Sequence, residues 1–153
     1  MKRWALAAIM VLALFAGQAW GAGSCVLTDT EKVVIDARTQ RVYLTLTCTG
    51  DGSITAYSLD PVARGVKGWY LYNVSTNPGA SAPTADYDIT LVVDGEDVAG
   101  SALLNRSATA TETVVIAPAT KGYHMADQTM AITFANQTAN PSTIVMKLRF
   151  TSN

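Results

Sequence analysis

The strongest constraint in this chain is a two-residue alternation of apolar and polar side chains that recurs past residue 25. In Arg41 to Thr49, Val42, Leu44, Leu46 and Cys48 fall on one side, while Tyr43, Thr45 and Thr47 fall on the other. In Thr143 to Phe150, Ile144, Met146, Leu148 and Phe150 face one way, and Lys147 and Arg149 the other. Tyr87 to Val93 repeats the pattern with Tyr87, Ile89, Leu91 and Val93. Successive side chains of a strand point to opposite faces, whereas a helix of period 3.6 would scatter these residues around its surface. Each segment is therefore expected to be a half-buried strand.

Shorter signals complete the set. Glu31 to Asp36 carries Val33-Val34-Ile35, Asp51-Gly52 marks a hairpin turn, and Ser53 to Leu59 reads as the return strand. Gly68 to Val74 is aromatic-rich, and Thr111 to Ile116 and Thr129 to Phe134 are further strands. Between them, Asp60 to Gly68 and Ser75 to Asp86 read as loops, the second marked by Asn77-Pro78-Gly79 and Ala82-Pro83. A loop that long suggests function or mobility. Asp94-Gly95 is a turn, and Val98 to Leu104 is expected to make a helical turn or two. The pattern predicts an all-β, single-domain β-sandwich or partly open barrel of about eight short, mostly antiparallel strands. At 153 residues the chain suits one domain.

The start of the chain reads differently. Lys2 and Arg3 precede an apolar run from Trp4 to Ala16, and small residues crowd Gly17 to Ser24. Gly17-Gln18-Ala19 and Ala19-Trp20-Gly21 both suit signal cleavage. The run is short of the ~20 apolar residues that span a bilayer. Residues 1–22 are therefore expected to be a signal peptide and residues 23–153 the folded domain. An uncleaved anchor and a buried core segment are the alternatives. Ala22-Gly23-Ser24-Cys25 imitates a lipoprotein site poorly, since Ala22 stands where such sites usually carry Leu.

Without Lys2 and Arg3, nine basic residues face twelve acidic ones, a net charge of -3. No basic cluster remains to follow a nucleic-acid backbone. The charged fraction, 15%, is low for a solvent-covered monomer and points to an assembly or an uncharged polar surface. In an oxidising compartment Cys25 and Cys48 would form one disulfide, with a pair of buried thiols as the competing reading. Zinc is disfavoured, because only His124 could join them and a structural site takes four ligands.

Catalytic signals are thin. His124, beside Tyr123 and Met125 in a turn region, reads as a surface or packed residue. There is no Gly-x-Ser-x-Gly elbow, Walker A loop or His-Glu-x-x-His pair, although a triad assembled from distant residues leaves no local signature. No enzymatic role and no cofactor are expected. Asp94, Glu96 and Asp97, with Asp86 and Asp88 nearby, could supply oxygen ligands to calcium, but an Asp-Gly turn needs no metal to explain it. Trp69, Tyr70 and Tyr72 could form a stacking platform, although alternation sends at least one of them into the core. Arg64 and Lys67 are too few for a nucleic-acid groove.

Gly68 to Val74, Asn77-Pro78-Gly79 and Pro83 to Leu91 form one block; Asp94 to Val98 and Leu103-Leu104-Asn105-Arg106-Ser107 form the next. Together, over about residues 66–110, they resemble a small uncharacterised virion structural protein of tailed bacteriophages and prophages. That resemblance implies a structural role without catalysis. Arg106, with Trp69, Tyr70 and Tyr72, is expected on a ligand or assembly surface. A signal peptide and a disulfide depart from it, since phage particles assemble in the cytoplasm. They are closer in architecture to exported fimbrial-type β-sandwich subunits. The leading expectation is a structural protein of a phage-derived or extracellular assembly, working through self-association or contact with phage or cell-surface structural proteins. Its location would be secreted, periplasmic, cell-surface or virion. The alternatives are an exported module binding a carbohydrate or surface ligand through residues 69–86, and a periplasmic protein with a calcium-stabilised loop.

Overall fold

A computed structural model describes residues 23–35, 40–50, 54–116 and 122–152. The expected signal segment and the Asp51-Gly52 turn lie outside the described residues. Two packed antiparallel sheets form a sandwich, so the all-β expectation holds.

The larger sheet contains β1 (Ser24–Val34), β2 (Gln40–Gly50), β4 (Tyr70–Pro78), β7 (Glu112–Val115), β8 (Tyr123–His124) and β10 (Ser142–Thr151). Its order is β1-β2-β10-β4-β7, and β8 also pairs with β4, beyond the end of β7. The smaller sheet contains β3 (Tyr57–Leu59), β5 (Asp88–Val93), β6 (Glu96–Asp97) and β9 (Met130–Ala135), in the order β3-β9-β5-β6.

Alternation decides what lies between the sheets. Val42, Leu44, Leu46 and Cys48 of β2 and Ile144, Met146, Leu148 and Phe150 of β10 all point inward and are buried. Leu71 and Val74 of β4 extend this layer; Ile89, Leu91, Val93, Met130 and Ile132 of the smaller sheet pack against it. Each such side chain stabilises the fold by roughly 1.5–3 kcal/mol relative to exposure.

Three elements differ from expectation. Among the described residues of the predicted return strand, Tyr57–Leu59 forms the strand β3, which pairs with β9 of the other sheet. The edge of β2 goes to β10, which offers ten residues in continuous register. Ser75 to Pro78, read as loop, continues β4, because β10 pairs with it as far as Pro78 and Thr76 has a buried partner for its hydroxyl. β1 begins at Ser24, not Glu31, and the irregularity between Leu27 and Asp29 breaks the alternation that would have revealed it. Residues Val98 to Leu104 make one 3-10 turn, Gly100–Leu103. The Asp94-Gly95 turn is as expected: both residues have positive φ, 52° and 83°, which suits the two-residue β5–β6 hairpin.

Candidate functional site

The features singled out by sequence do not converge. Cys25 and Cys48 are disulfide-bonded and face one another in the β1–β2 ladder. Trp69 is half-buried against the core, with Lys32 Nζ 5.8 Å from its ring centre. Tyr70 packs against His124 at 5.1 Å between ring centres. Tyr72 meets a cation on the outside of the larger sheet, with the Arg149 guanidinium 4.6 Å from its ring centre.

Arg106, expected on a ligand or assembly surface, is instead buried at 4% exposure. Its Nε and Nη2 donate to Thr76 Oγ1 at 3.1 and 2.9 Å, and Nη2 lies 3.4 Å from Glu112 Oε2. Its backbone N–H donates to the Tyr87 carbonyl at 2.7 Å. The Tyr87 phenol is buried beside this cluster without a well-formed hydrogen bond. Burial raises its pKa, opposed by Thr76 and Arg106 and reinforced by Glu112.

The long connection after β4 is pinned rather than open. Gly79 N–H donates to the Thr143 carbonyl and Thr143 N–H to the Ser81 carbonyl, both at 2.8 Å. Thr84 N–H donates to Gln137 Oε1 at 2.7 Å, and Thr84 Oγ1 accepts from the N–H groups of Thr138 and Ala139. Two of the acidic residues, Asp97 and Asp88, are also occupied locally. Asp97 Oδ1 accepts from the Leu91 and Ala99 N–H groups, and Asp88 accepts from Asn105 N–H and Asn136 Nδ2. Among the described residues no three His, Cys, Asp or Glu side chains come together as a metal-binding group.

A groove opens elsewhere, on the outer face of the larger sheet. It measures about 400 Å³, within the ~300–1,000 Å³ usual for small-molecule sites. Glu31 and Val33 of β1 form one wall and Tyr43 of β2 lies beside them. Lys147 and Arg149 of β10 line the middle; Asn73 and Ser75 of β4 with Thr113 of β7 form the far side. The register builds this arrangement. Arg149 lies opposite Tyr43 on one flank and Asn73 on the other, and Lys147 lies between Thr45 and Ser75.

Its electrostatics are uneven. Lys147 Nζ sits 4.6 Å from the Tyr43 ring centre and 3.5 Å from Glu31 Oε2, an ion pair whose side chains are 44% and 52% exposed and which is therefore weak. Arg149 makes no ion pair among the described residues, and its Nε is enclosed without a hydrogen-bond partner. Thr113 Oγ1 donates to Ser75 Oγ at 3.0 Å on the far side. The carboxylates of this face, Asp29 and Glu31, belong to the edge strand, whereas the cations belong to the central one.

Lys147, Arg149 and Tyr43 were legible as outward residues of their strands. Their convergence was not, because nothing local says that β2 and β10 are neighbours. Comparison with known protein families, characterised proteins and solved structures gives no match.

Proposed function

We propose that this protein is an exported, non-catalytic β-sandwich that acts by binding, through the groove on the outer face of its larger sheet. The observation that carries this reading is Arg149: a cation in the floor of an open groove, without a carboxylate partner among the described residues. Charges withdrawn from water are usually paired, and Arg149 is half-buried with its Nε enclosed, so an anionic ligand would supply the missing partner. The Cys25–Cys48 disulfide supports export, since such bonds persist in oxidising compartments. Among the described residues no helix is long and apolar enough to cross a membrane.

The groove overlaps the region expected at residues 69–86 only through Asn73 and Ser75; the loop beyond them is pinned, and Trp69 packs against the core. The test is a screen of the mature domain against soluble cell-envelope polysaccharides and surface proteins, repeated with Arg149→Glu. Binding that the substitution abolishes supports the groove; binding that it leaves unchanged refutes it.

Assembly is the second reading, as a subunit of a phage-derived or extracellular structure. It is favoured by β1, an eleven-residue edge strand beside which Val26, Val34 and Ile35 remain exposed. Light scattering would show oligomers that Val26→Lys disperses; a monomer throughout the micromolar range would exclude it.

A further inference from the structure

Resting on the binding role proposed above, we infer that the groove takes an acidic saccharide, its carboxylate or sulfate held by Lys147 and Arg149. The two cations stand two residues apart on one strand, so their stems leave the same face about 7 Å from each other. That spacing lets two flexible cationic side chains converge on one anionic group, and charge-assisted hydrogen bonds of this kind are stronger than neutral ones.

The rest of the lining selects the ligand class. Beyond the cations, the groove presents the Asn73 amide and the Ser75 and Thr113 hydroxyls. Short donors and acceptors spread over a sheet face suit the hydroxyl groups of a sugar ring. An acidic peptide would gain most from backbone pairing, but β2, β10 and β4 each have partners on both edges and offer none. A nucleic acid would need more cations and freely exposed rings, whereas Tyr43 and Tyr72 already lie under Lys147 and Arg149. The Glu31 carboxylate stands on the opposite wall and directs an anion toward the β10–β4 side.

The experiment is an NMR titration of the mature domain with four probes of matched length: an oligogalacturonate, a sulfated heparin-derived oligosaccharide, a neutral cello-oligosaccharide and oligoglutamate. The expected result is a shift of the Tyr43, Asn73, Ser75, Thr113, Lys147 and Arg149 signals with at least one acidic saccharide. Its affinity should exceed that of the neutral sugar about tenfold or more and fall as salt rises. Binding of the oligogalacturonate identifies carboxylate as a group the site holds, and binding of the sulfated probe alone identifies sulfate. Arg149→Gln should weaken binding about tenfold, as should Thr113→Glu, an exposed position where a carboxylate would repel the ligand without disturbing the core. Equal affinity for the neutral sugar, lost in Arg149→Gln, would overturn the acidic class while leaving the binding role intact. Equal affinity for oligoglutamate would overturn the saccharide. No groove shift with any probe overturns this inference, and the envelope screen then decides the binding role separately.

Discussion

Arg106 directs two donors, Nε and Nη2, onto the single hydroxyl of Thr76, at 3.1 and 2.9 Å. Thr76 belongs to the larger sheet, and Arg106 bridges to Tyr87 at the entrance to the smaller one, so this bond ties the two layers at their rim. Arg106→Ala would strand the Thr76 hydroxyl and leave Glu112 without its cation. The expected loss is about 2–4 kcal/mol, because Glu112 retains some access to water. Urea unfolding of Arg106→Ala, Thr76→Val and the double variant should show strong coupling; additive losses would mean that the contact does not carry the tie.

Tyr87 gives a prediction of opposite character. Its phenol is fully buried, and burial lifts its pKa above 10.0. The folded state then holds the proton more tightly than the unfolded chain. This contribution is complete below about pH 10 and is lost as pH rises through the elevated value. Tyr87→Phe should keep neutral-pH stability within about 1 kcal/mol, since the hydroxyl it removes has no well-formed partner. It should also unfold at higher pH than the parent. Coincident alkaline unfolding curves would show that another group sets the limit.

Truncation after Ser142 should abolish folding. β10 is hydrogen-bonded to β2 on one side and β4 on the other, so its loss opens the larger sheet through the middle. Far-UV circular dichroism should show a disordered chain; a folded, soluble monomer would contradict this topology. With both edges of β10 paired inside its own sheet, the edge strand β1 is the surface offered for assembly.

Replacing Cys25 and Cys48 together by alanine should cost about 3 kcal/mol, the chain-entropy value for closing a loop over a sequence separation of 23. The urea midpoint measures it, and peptide mapping without reductant should find the two segments linked. An unchanged midpoint would mean that the β1–β2 ladder alone restrains the edge strand.

Strand identity was legible wherever one face is dry and the other wet. Leu44, Leu46, Leu148 and Phe150 declare their faces because the core demands it. β1 was read only in part, because an edge strand with most residues exposed has no need to alternate. β8 left no signal, having only Tyr123 and His124. Arg106 was misplaced because a sequence shows a charge but not the buried hydroxyl waiting for it. The groove was invisible for a related reason: its floor comes from β2, β4, β7 and β10, joined only by long-range pairing.

The central place of β10 in the larger sheet also orders events in time. Residues 142–151 are made after every other strand, yet β2 and β4 touch one another only through them. During synthesis the β1–β2 hairpin can form by itself, but the layer that holds the core cannot close until this late strand arrives. Contacts so distant along the chain make folding slow. A polypeptide whose core layer cannot close until β10 emerges stays open while its other described strands are made, which is the form in which the export proposed above would have to carry it.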